Sequence, residues 1–395
     1  MTVSIELIGL GDRGLTNLRL MLRLAQHVPL CFEVLRDNDP ARVEAARALC
    51  RQAGVAMGHP EQPCGASGGS INSGNSSGGS INNGNSDSSS GVVRLTMVCT
   101  DWQSHAPLAI DAMRRGRHVA VEVPAALTLA DIRALVATSA ATGRHCFMLE
   151  NCCYDPAILD AISRIRRGEI GDIVHAEGTY YHSLGNRWTP WRLEMNRRQR
   201  GDLYPTHELA PLCMALGISP APVPGAFSAG SPAPVPGVFS AGSPAPVPGA
   251  SSAGSPDRLS TLVSMDSAPF SGPAIYERHL RRPAPDFRNG DHTTTLIRTQ
   301  RGRTILLRHD VLTPHTYERL FHIVGTRGTI TVTDDGTQPH DHITLAMHES
   351  LLTALANGRS PDFSVRDLAA WCAVTPLSAM SIERGFAPVA FPDDL

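Results

Sequence analysis

Three glycines, one carboxylate and a tyrosine–histidine pair are the residues here whose types and spacing can do chemistry. Gly9, Gly11 and Gly14 form a G-x-G-x-x-G turn, and Asp37 follows 23 residues after the last of them. The first glycine permits a tight turn, the second lets backbone approach a pyrophosphate, and the third lets a helix pack closely on a strand. A carboxylate at the end of the next strand suits two ribose hydroxyls and disfavours a 2′-phosphate. The set predicts a dinucleotide site of the NAD rather than the NADP type, and Arg13 lies inside the same turn. Farther on, Tyr204-Pro205-Thr206-His207 opens a helix just after Asp202. An imidazole with an ordinary pKa near 6.5 can take a proton from a hydroxyl group as hydride leaves the carbon.

These groups need elements to position them. The apolar run Val3, Ile5, Leu7, Ile8 ends at the glycines, a helical pattern follows (Leu15, Leu18, Leu22, Leu24), and Leu30–Leu35 leads to Asp37. Strand, glycine turn, helix, strand and acidic residue make a βαβ unit. Continuously apolar strands at Val92–Cys99, His118–Val121 and Cys146–Leu149 alternate with helices at Ala106–Arg115 and Leu129–Ala140, as a buried parallel sheet requires. The second half reads differently. A helix over Pro156–Arg166 and a strand over Ile173–Tyr180 precede an Arg/Trp-rich polar stretch to Arg200, then the helix to Leu216. Runs at His292–Thr299, Thr304–Asp310, Arg319–Val324 and Thr329–Thr333 read as antiparallel strands, with tight turns at Arg301-Gly302 and Gly325–Gly328. Helices near Leu345–Ala356 and Ser364–Ile382 close the chain.

The expected fold is α/β: a Rossmann domain with a doubly wound parallel sheet over 1–148, then an α+β domain with a mainly antiparallel sheet over 149–395. Each half carries a low-complexity insertion. A Gly/Ser/Asn-rich segment at 65–91 holds a tandem ten-residue repeat, and 220–255 holds three copies of a Pro/Ala/Gly/Ser unit. Neither composition offsets its ordering entropy by apolar burial, so both are expected as surface excursions.

The composition excludes several classes. With 35 basic and 37 acidic residues the net charge is −2, which argues against a nucleic-acid surface. Every basic residue is arginine, so Schiff-base chemistry and any lysine proton transfer are excluded. The nine cysteines are odd in number, sit mostly in apolar runs and lack zinc-finger spacing. His340-Asp341-His342 has metal-like residue types without a third partner, so no metal is expected. With no leader-like opening and no apolar run of spanning length, the expectation is a cytoplasmic protein without a membrane partner. Self-association into a homo-oligomer is compatible with the composition.

The resemblance to a family becomes specific at Glu122-Val123-Pro124. This block resembles the Gfo/Idh/MocA oxidoreductases, where the middle position is usually a lysine near the nicotinamide. One branch of that superfamily is similar nearly end to end outside the repeats: glycoside hydrolase family 109, the NAD-dependent α-N-acetylgalactosaminidases. The similarity is carried by Cys99–Pro107, Glu122–Ala126, Leu149–Tyr154, Gly178–His182, Trp191-Arg192, Gly201–His207, His309-Asp310 with Tyr317, and the ending from Ala369 to Asp393. Three departures stand out. Glu208 replaces the family's usual glycine, His182-Ser183-Leu184 replaces His-Asp-Leu, and a shortened stretch carries His340-Asp341-His342. Glu208 and the shortening are expected to touch the sugar pocket.

The resemblance implies roles for named residues. Catalysis falls to His207, Tyr204 and Tyr180, with Tyr180, Arg192, Tyr204, Pro205, Thr206, His207 and Tyr317 around the substrate, a small molecule or glycan. Cofactor contacts are implied for Gly9, Gly11, Arg13, Gly14, Asp37, Trp102, Gln103, Ser104, His105, Glu122, Val123, Asn151 and Tyr204. Glu150, beside Asn151, belongs to the same strand-end segment. The implied reaction is a closed redox cycle: oxidation at carbon 3 of the sugar, loss of the carbon 2 proton, elimination, water addition and re-reduction. Two alternatives remain at this point, an NAD-dependent sugar or cyclitol dehydrogenase on the same scaffold and a non-catalytic NAD-binding sensor.

Overall fold

The computed structural model describes residues 1–58, 91–218, 257–337 and 340–395. The repeat segments expected at 65–91 and 220–255 lie outside these residues, apart from Gly91.

The first half is built on five parallel strands: β1 (Thr2–Ile8), β2 (Leu30–Arg36), β3 (Val92–Val98), β4 (His118–Val121) and β5 (Cys146–Met148), in the order β2-β1-β3-β4-β5. Six of the seven β1 residues are buried, which is why the run lacks polar alternation. Helices α1 (Asp12–Leu24), α2 (Pro40–Gln52), α3 (Trp102–Arg114) and α4 (Leu129–Thr142) connect the strands. Their starts are set by side-chain caps on three of them. Asp39 accepts from Ala41 N–H, Asp101 from Ser104 N–H and Thr128 from Asp131 N–H. The Asp101 cap starts α3 four residues before Ala106, so Trp102–His105 form its first turn at the end of β3.

The second half centres on seven strands: β6 (Ile173–Tyr181), β7 (Leu259–Asp266), β8 (Thr293–Thr299), β9 (Thr304–Asp310), β10 (Glu318–Gly325), β11 (Thr329–Asp334) and β12 (Val389–Ala390), ordered β11-β10-β6-β9-β8-β7-β12. The two turns expected at Gly302 and Gly325–Gly328 close β8–β9 and β10–β11. The sheet is mainly antiparallel, as expected, and its central pair, β6 and β9, runs parallel. Helices α5 (Pro156–Arg166), α6 (Pro190–Arg198), α7 (Thr206–Leu216), α8 (Gly272–Leu280), α9 (Asp341–Ala356) and α10 (Val365–Glu383) complete the described chain. The stretch before Arg200, expected as a polar loop, contains α6, because Thr189 accepts from Arg192 N–H and Pro190 occupies the first turn.

Helix α7 packs on β6 and β10, α9 returns to α1 and β1, and α10 wedges between β7, α4 and β5. A continuous apolar cluster therefore runs through both sheets. This brings the loop ends of β3, β4 and β5 against the N-terminus of α7.

Candidate active site

The glycine turn is shaped by close approach. Gly9 has φ +91°, and a Cβ there would lie 2.5 Å from the Cys99 carbonyl oxygen. A Cβ on Gly14 would lie 1.9 Å from the Gly9 carbonyl oxygen. No side chain caps α1, and a Cβ on Gly11 would meet only the Arg42 guanidinium, at 3.7 Å. The helix N-terminus thus presents N–H groups to an anion without an internal competitor, as a pyrophosphate requires. Asp37 directly follows β2. Its Oδ2 accepts from Leu10 N–H at 2.6 Å and its Oδ1 from Asp39 N–H at 2.9 Å, so the carboxylate also braces the glycine turn. These residues fit a bound NAD.

Deeper in, Glu122 Oε1 accepts from Arg13 Nε at 2.8 Å and from Asn17 Nδ2 at 2.7 Å. Burial raises this carboxyl, but Arg13 and Asn17 outweigh burial and hold it below the ordinary carboxylate range. Val123 is buried, so the position of the family's usual lysine carries no proton donor here. Several residues expected at the cofactor spend their polar atoms on the protein. His105 has Nδ1 2.8 Å from Pro124 O and Nε2 3.1 Å from Thr100 O. Ser104 Oγ donates into the Thr100–Asp101 loop, Gln103 Nε2 donates to Met195 Sδ, and Asn151 Nδ2 donates to Thr344 Oγ1 at 2.8 Å. Trp102 presents its ring instead, stacked on Tyr204 with centroids 5.6 Å apart and edge-on to Trp191. That stack joins the nucleotide side to the second half.

At the head of α7, behind Pro205 and the buried Thr206, His207 turns Nδ1 to Glu150 Oε1 at 2.6 Å. Glu150 is fully buried, just beyond β5. Its burial raises the carboxyl, but His207, Thr206 and the Cys152 N–H overcome this and hold it low. Burial pulls the other way on the imidazole, yet Cys152, Glu150 and Tyr204 raise His207 well above the usual histidine value. Glu150 fixes the ring and increases its basicity, the carboxylate's role in a hydrogen-bonded acid–base pair.

Aromatic rings surround that imidazole. Tyr204 and Tyr180 approach it edge-on with centroids at 4.9 and 5.0 Å, and Tyr317 meets Tyr180 edge-on at 6.0 Å. The Tyr180 hydroxyl lies 3.2 Å from His182 Nδ1, while Arg187 donates to His182 Nε2 at 2.8 Å. A guanidinium only donates, so Nε2 is the acceptor and Nδ1 carries the proton that His182 gives to Tyr180. Burial, then Arg187, lowers His182 to about 4, in keeping with this neutral tautomer. On the far side of Tyr180, His309 stacks at 6.1 Å and faces Asp202 at 3.5 Å. Burial pushes Asp202 up to about 7 and His309 down to about 3, which disfavours an ion pair between them. Arg192 lies over Trp191 at 4.9 Å, at the edge of the ring cluster.

Glu208 does not enter the sugar side. It points back from α7 onto β6, where a Cβ on Gly178 would touch its Cβ at 2.8 Å, and neither carboxylate oxygen has a hydrogen-bond partner in the protein. Burial, reinforced by Asp202, raises its pKa well above the ordinary value. The replacement for the shortened segment is at the site, with His340 edge-on to Tyr317 at 5.5 Å. Sequence reasoning placed Tyr180, Tyr204, His207 and Tyr317 in one site, and the structure brings them together. It missed the pairing of Glu150 with His207 and the Arg187–His182 support of Tyr180, which no local spacing announces.

A glycine turn on a parallel five-stranded sheet, near a histidine–carboxylate pair formed between the end of β5 and the head of α7, defines an NAD-binding protein of the Gfo/Idh/MocA oxidoreductase class. Residues 80–150 match the oxidoreductase family with an NAD-binding Rossmann fold, and 245–344 match the glycosyl hydrolase 109 C-terminal domain. The chain belongs to glycosyl hydrolase family 109. It is 32% identical to glycosyl hydrolase family 109 protein 1 of Phocaeicola vulgatus and to a family 109 protein of Porphyromonas gingivalis, covering 99% of this chain and 84% of each relative. The fold is shared with a myo-inositol 2-dehydrogenase from Lactobacillus plantarum (TM-score 0.67, 12% identity, 99% of this chain and 100% of that one). It is shared equally with a dehydrogenase from Bordetella pertussis solved with NADH and UDP-GlcNAcA (TM-score 0.67, 13% identity, 99% and 98%). The protein is an NAD-dependent glycoside hydrolase. Among the described residues no helix is long and apolar enough to cross a membrane.

Proposed function

We propose that this enzyme cleaves α-linked N-acetylgalactosaminides or a closely related hexoside, with His207 as the base for the carbon 3 hydroxyl. The observation that carries this reading is the 2.6 Å contact between His207 Nδ1 and buried Glu150, set under the rings of Tyr180 and Tyr204. NAD, held by Gly9, Gly11, Gly14 and Asp37, supplies a reversible hydride acceptor at carbon 3. Glu150 occupies the Nδ1 proton, so the other ring nitrogen of His207 takes the hydroxyl proton as the ketone forms. The ketone acidifies the carbon 2 proton, which passes to the Tyr180 oxygen when Tyr180 enters the cycle as the phenolate, its own proton having gone to solvent.

Two features favour that transfer. His182 donates to the Tyr180 oxygen, and His207, positively charged after the first step, faces the Tyr180 ring at 5.0 Å. Both stabilise a phenolate against the burial that raises Tyr180. The aglycone then leaves carbon 1 as its alkoxide, water adds there and gives its remaining proton to that alkoxide while Tyr180 returns the proton to carbon 2, and His207 returns its proton as carbon 3 is reduced. Tyr204 carries the stack to Trp102, and Arg192 and Tyr317 orient the sugar. A reducing cytoplasm suits the chain, since none of the eight described cysteines forms a disulfide. The test is to supply NAD far below the substrate concentration and follow aglycone release together with absorbance of NADH. Many turnovers per NAD without NADH accumulation are expected. NADH accumulating without cleavage would transfer the enzyme to the sugar dehydrogenases.

A further inference from the structure

The opposite face of the central sheet holds a cluster that the glycosidase chemistry does not use. Side chains alternate along β6, so Tyr180 faces His207 while Tyr181 faces away. On that far face the Tyr181 ring stacks on His315 with centroids 4.4 Å apart and planes 15° apart. Asp310 ends β9 and is paired with Tyr181 in the sheet register. His292 immediately precedes β8, opposite the end of β9.

The three side chains converge on one oxygen. Asp310 Oδ2 lies 3.3 Å from His315 Nε2 and 3.9 Å from His292 Nδ1, and all three ligand-type atoms lie within 4.8 Å of one another. Ligands at ~2.0–2.1 Å from a tetrahedral zinc ion stand about 3.3 Å apart, so this is a slightly opened tripod. The surroundings orient it as outer-shell partners orient metal ligands. Asp310 is buried, its Oδ1 accepting from the Leu312 and Thr313 N–H groups and its Oδ2 from Thr313 Oγ1 at 2.7 Å. The second nitrogen of His292 is engaged by Thr294 Oγ1 at 3.3 Å, which leaves Nδ1 toward the carboxylate. Arg308, the neighbouring cation, pairs with Glu177 at 3.5 Å.

We propose that His292, Asp310 and His315 bind a divalent transition metal of the zinc class, with water completing the coordination. One ligand ends β9 and another, His315, lies within the loop between β9 and β10, which carries Tyr317 at its end. The bound ion therefore clamps that loop across the sheet from His207. This binding claim is independent of the proposed sugar chemistry.

The untagged full chain, stripped with chelator and returned to neutral buffer, is titrated calorimetrically with zinc chloride, and with cobalt chloride while its visible absorption is recorded. One equivalent is expected to bind, with a cobalt ligand-field band. Zinc should also slow amide hydrogen exchange in the 311–317 loop. In a His292→Ala/His315→Ala double variant the affinity should fall roughly tenfold or more and the loop protection should vanish. NAD affinity and the circular-dichroism spectrum should be unchanged, which establishes that the variant is folded. Equal binding by the variant, or no stoichiometric binding by the natural chain, would overturn the proposal.

Discussion

Replacing Glu208 with glutamine isolates the energetic consequence of a buried acid beneath the active-site helix. Both Glu208 oxygens are buried without a partner, and burial together with Asp202 raises its pKa well above 4.5. The sign follows from proton binding. Between the unfolded value and the raised folded value the native state holds a proton that the unfolded chain has released. Stability therefore falls as pH rises through this window, by about 1.4 kcal/mol for each pH unit. Glutamine keeps the shape and cannot ionise. Its unsatisfied amide costs about 1–3 kcal/mol, but that cost is the same at every pH and cancels from the slope. Urea unfolding followed by tryptophan fluorescence at pH 5, 6 and 7 should show the Gln variant gaining on the natural chain as pH rises, by at most about 1.4 kcal/mol per unit. Parallel stability curves would refute the argument by showing that Glu208 is already ionised in the fold.

Glu150→Gln removes one of the groups that, with Cys152, raise His207, so the pH at which His207 becomes an unprotonated base should drop while turnover falls by roughly 10²–10⁴-fold, as for other orienting carboxylates. An unmoved acidic limb in the kcat/KM profile would remove Glu150 from the base assembly. Asp37→Ala should weaken NAD by roughly 10–100-fold, the worth of a charge-assisted hydrogen bond, as read by fluorescence titration. Gly9→Ala places a Cβ 2.5 Å from the Cys99 carbonyl at a left-handed φ, so both NAD binding and thermal stability should fall, and unchanged values for both would show that the turn relaxes freely.

The nucleotide half was legible because its signals are local. β1 reads as an uninterrupted apolar run, the glycines follow at once, and Asp37 lies at the next strand end. What the sequence hid depends on contacts between distant segments. Glu150 and His207 are 57 residues apart, and only the docking of α7 beside β5 makes them a pair. The parallel pairing of β6 with β9 needs a long crossover that strand patterns do not reveal. Helix α6 was concealed by its arginines and weak amphipathicity, although Thr189-Pro190 is an ordinary helix start. β7 is a short Ser/Thr-containing run directly after the repeats, and packing by α10 makes it a strand. Glu208 shows the limit most clearly, since helix rotation alone decides whether it faces the sugar or the sheet.

The claim most exposed to a single measurement is that carbon 2 loses its proton before the aglycone leaves. Hydrolysis of an aryl α-N-acetylgalactosaminide in deuterated water, with catalytic NAD, can be followed by mass spectrometry of the released sugar. The geometry around Tyr180 and His207 predicts deuterium at carbon 2 of the product, no net NADH, and loss of both cleavage and exchange in His207→Ala while NAD still binds. Cleavage that leaves carbon 2 fully protonated would contradict the elimination cycle.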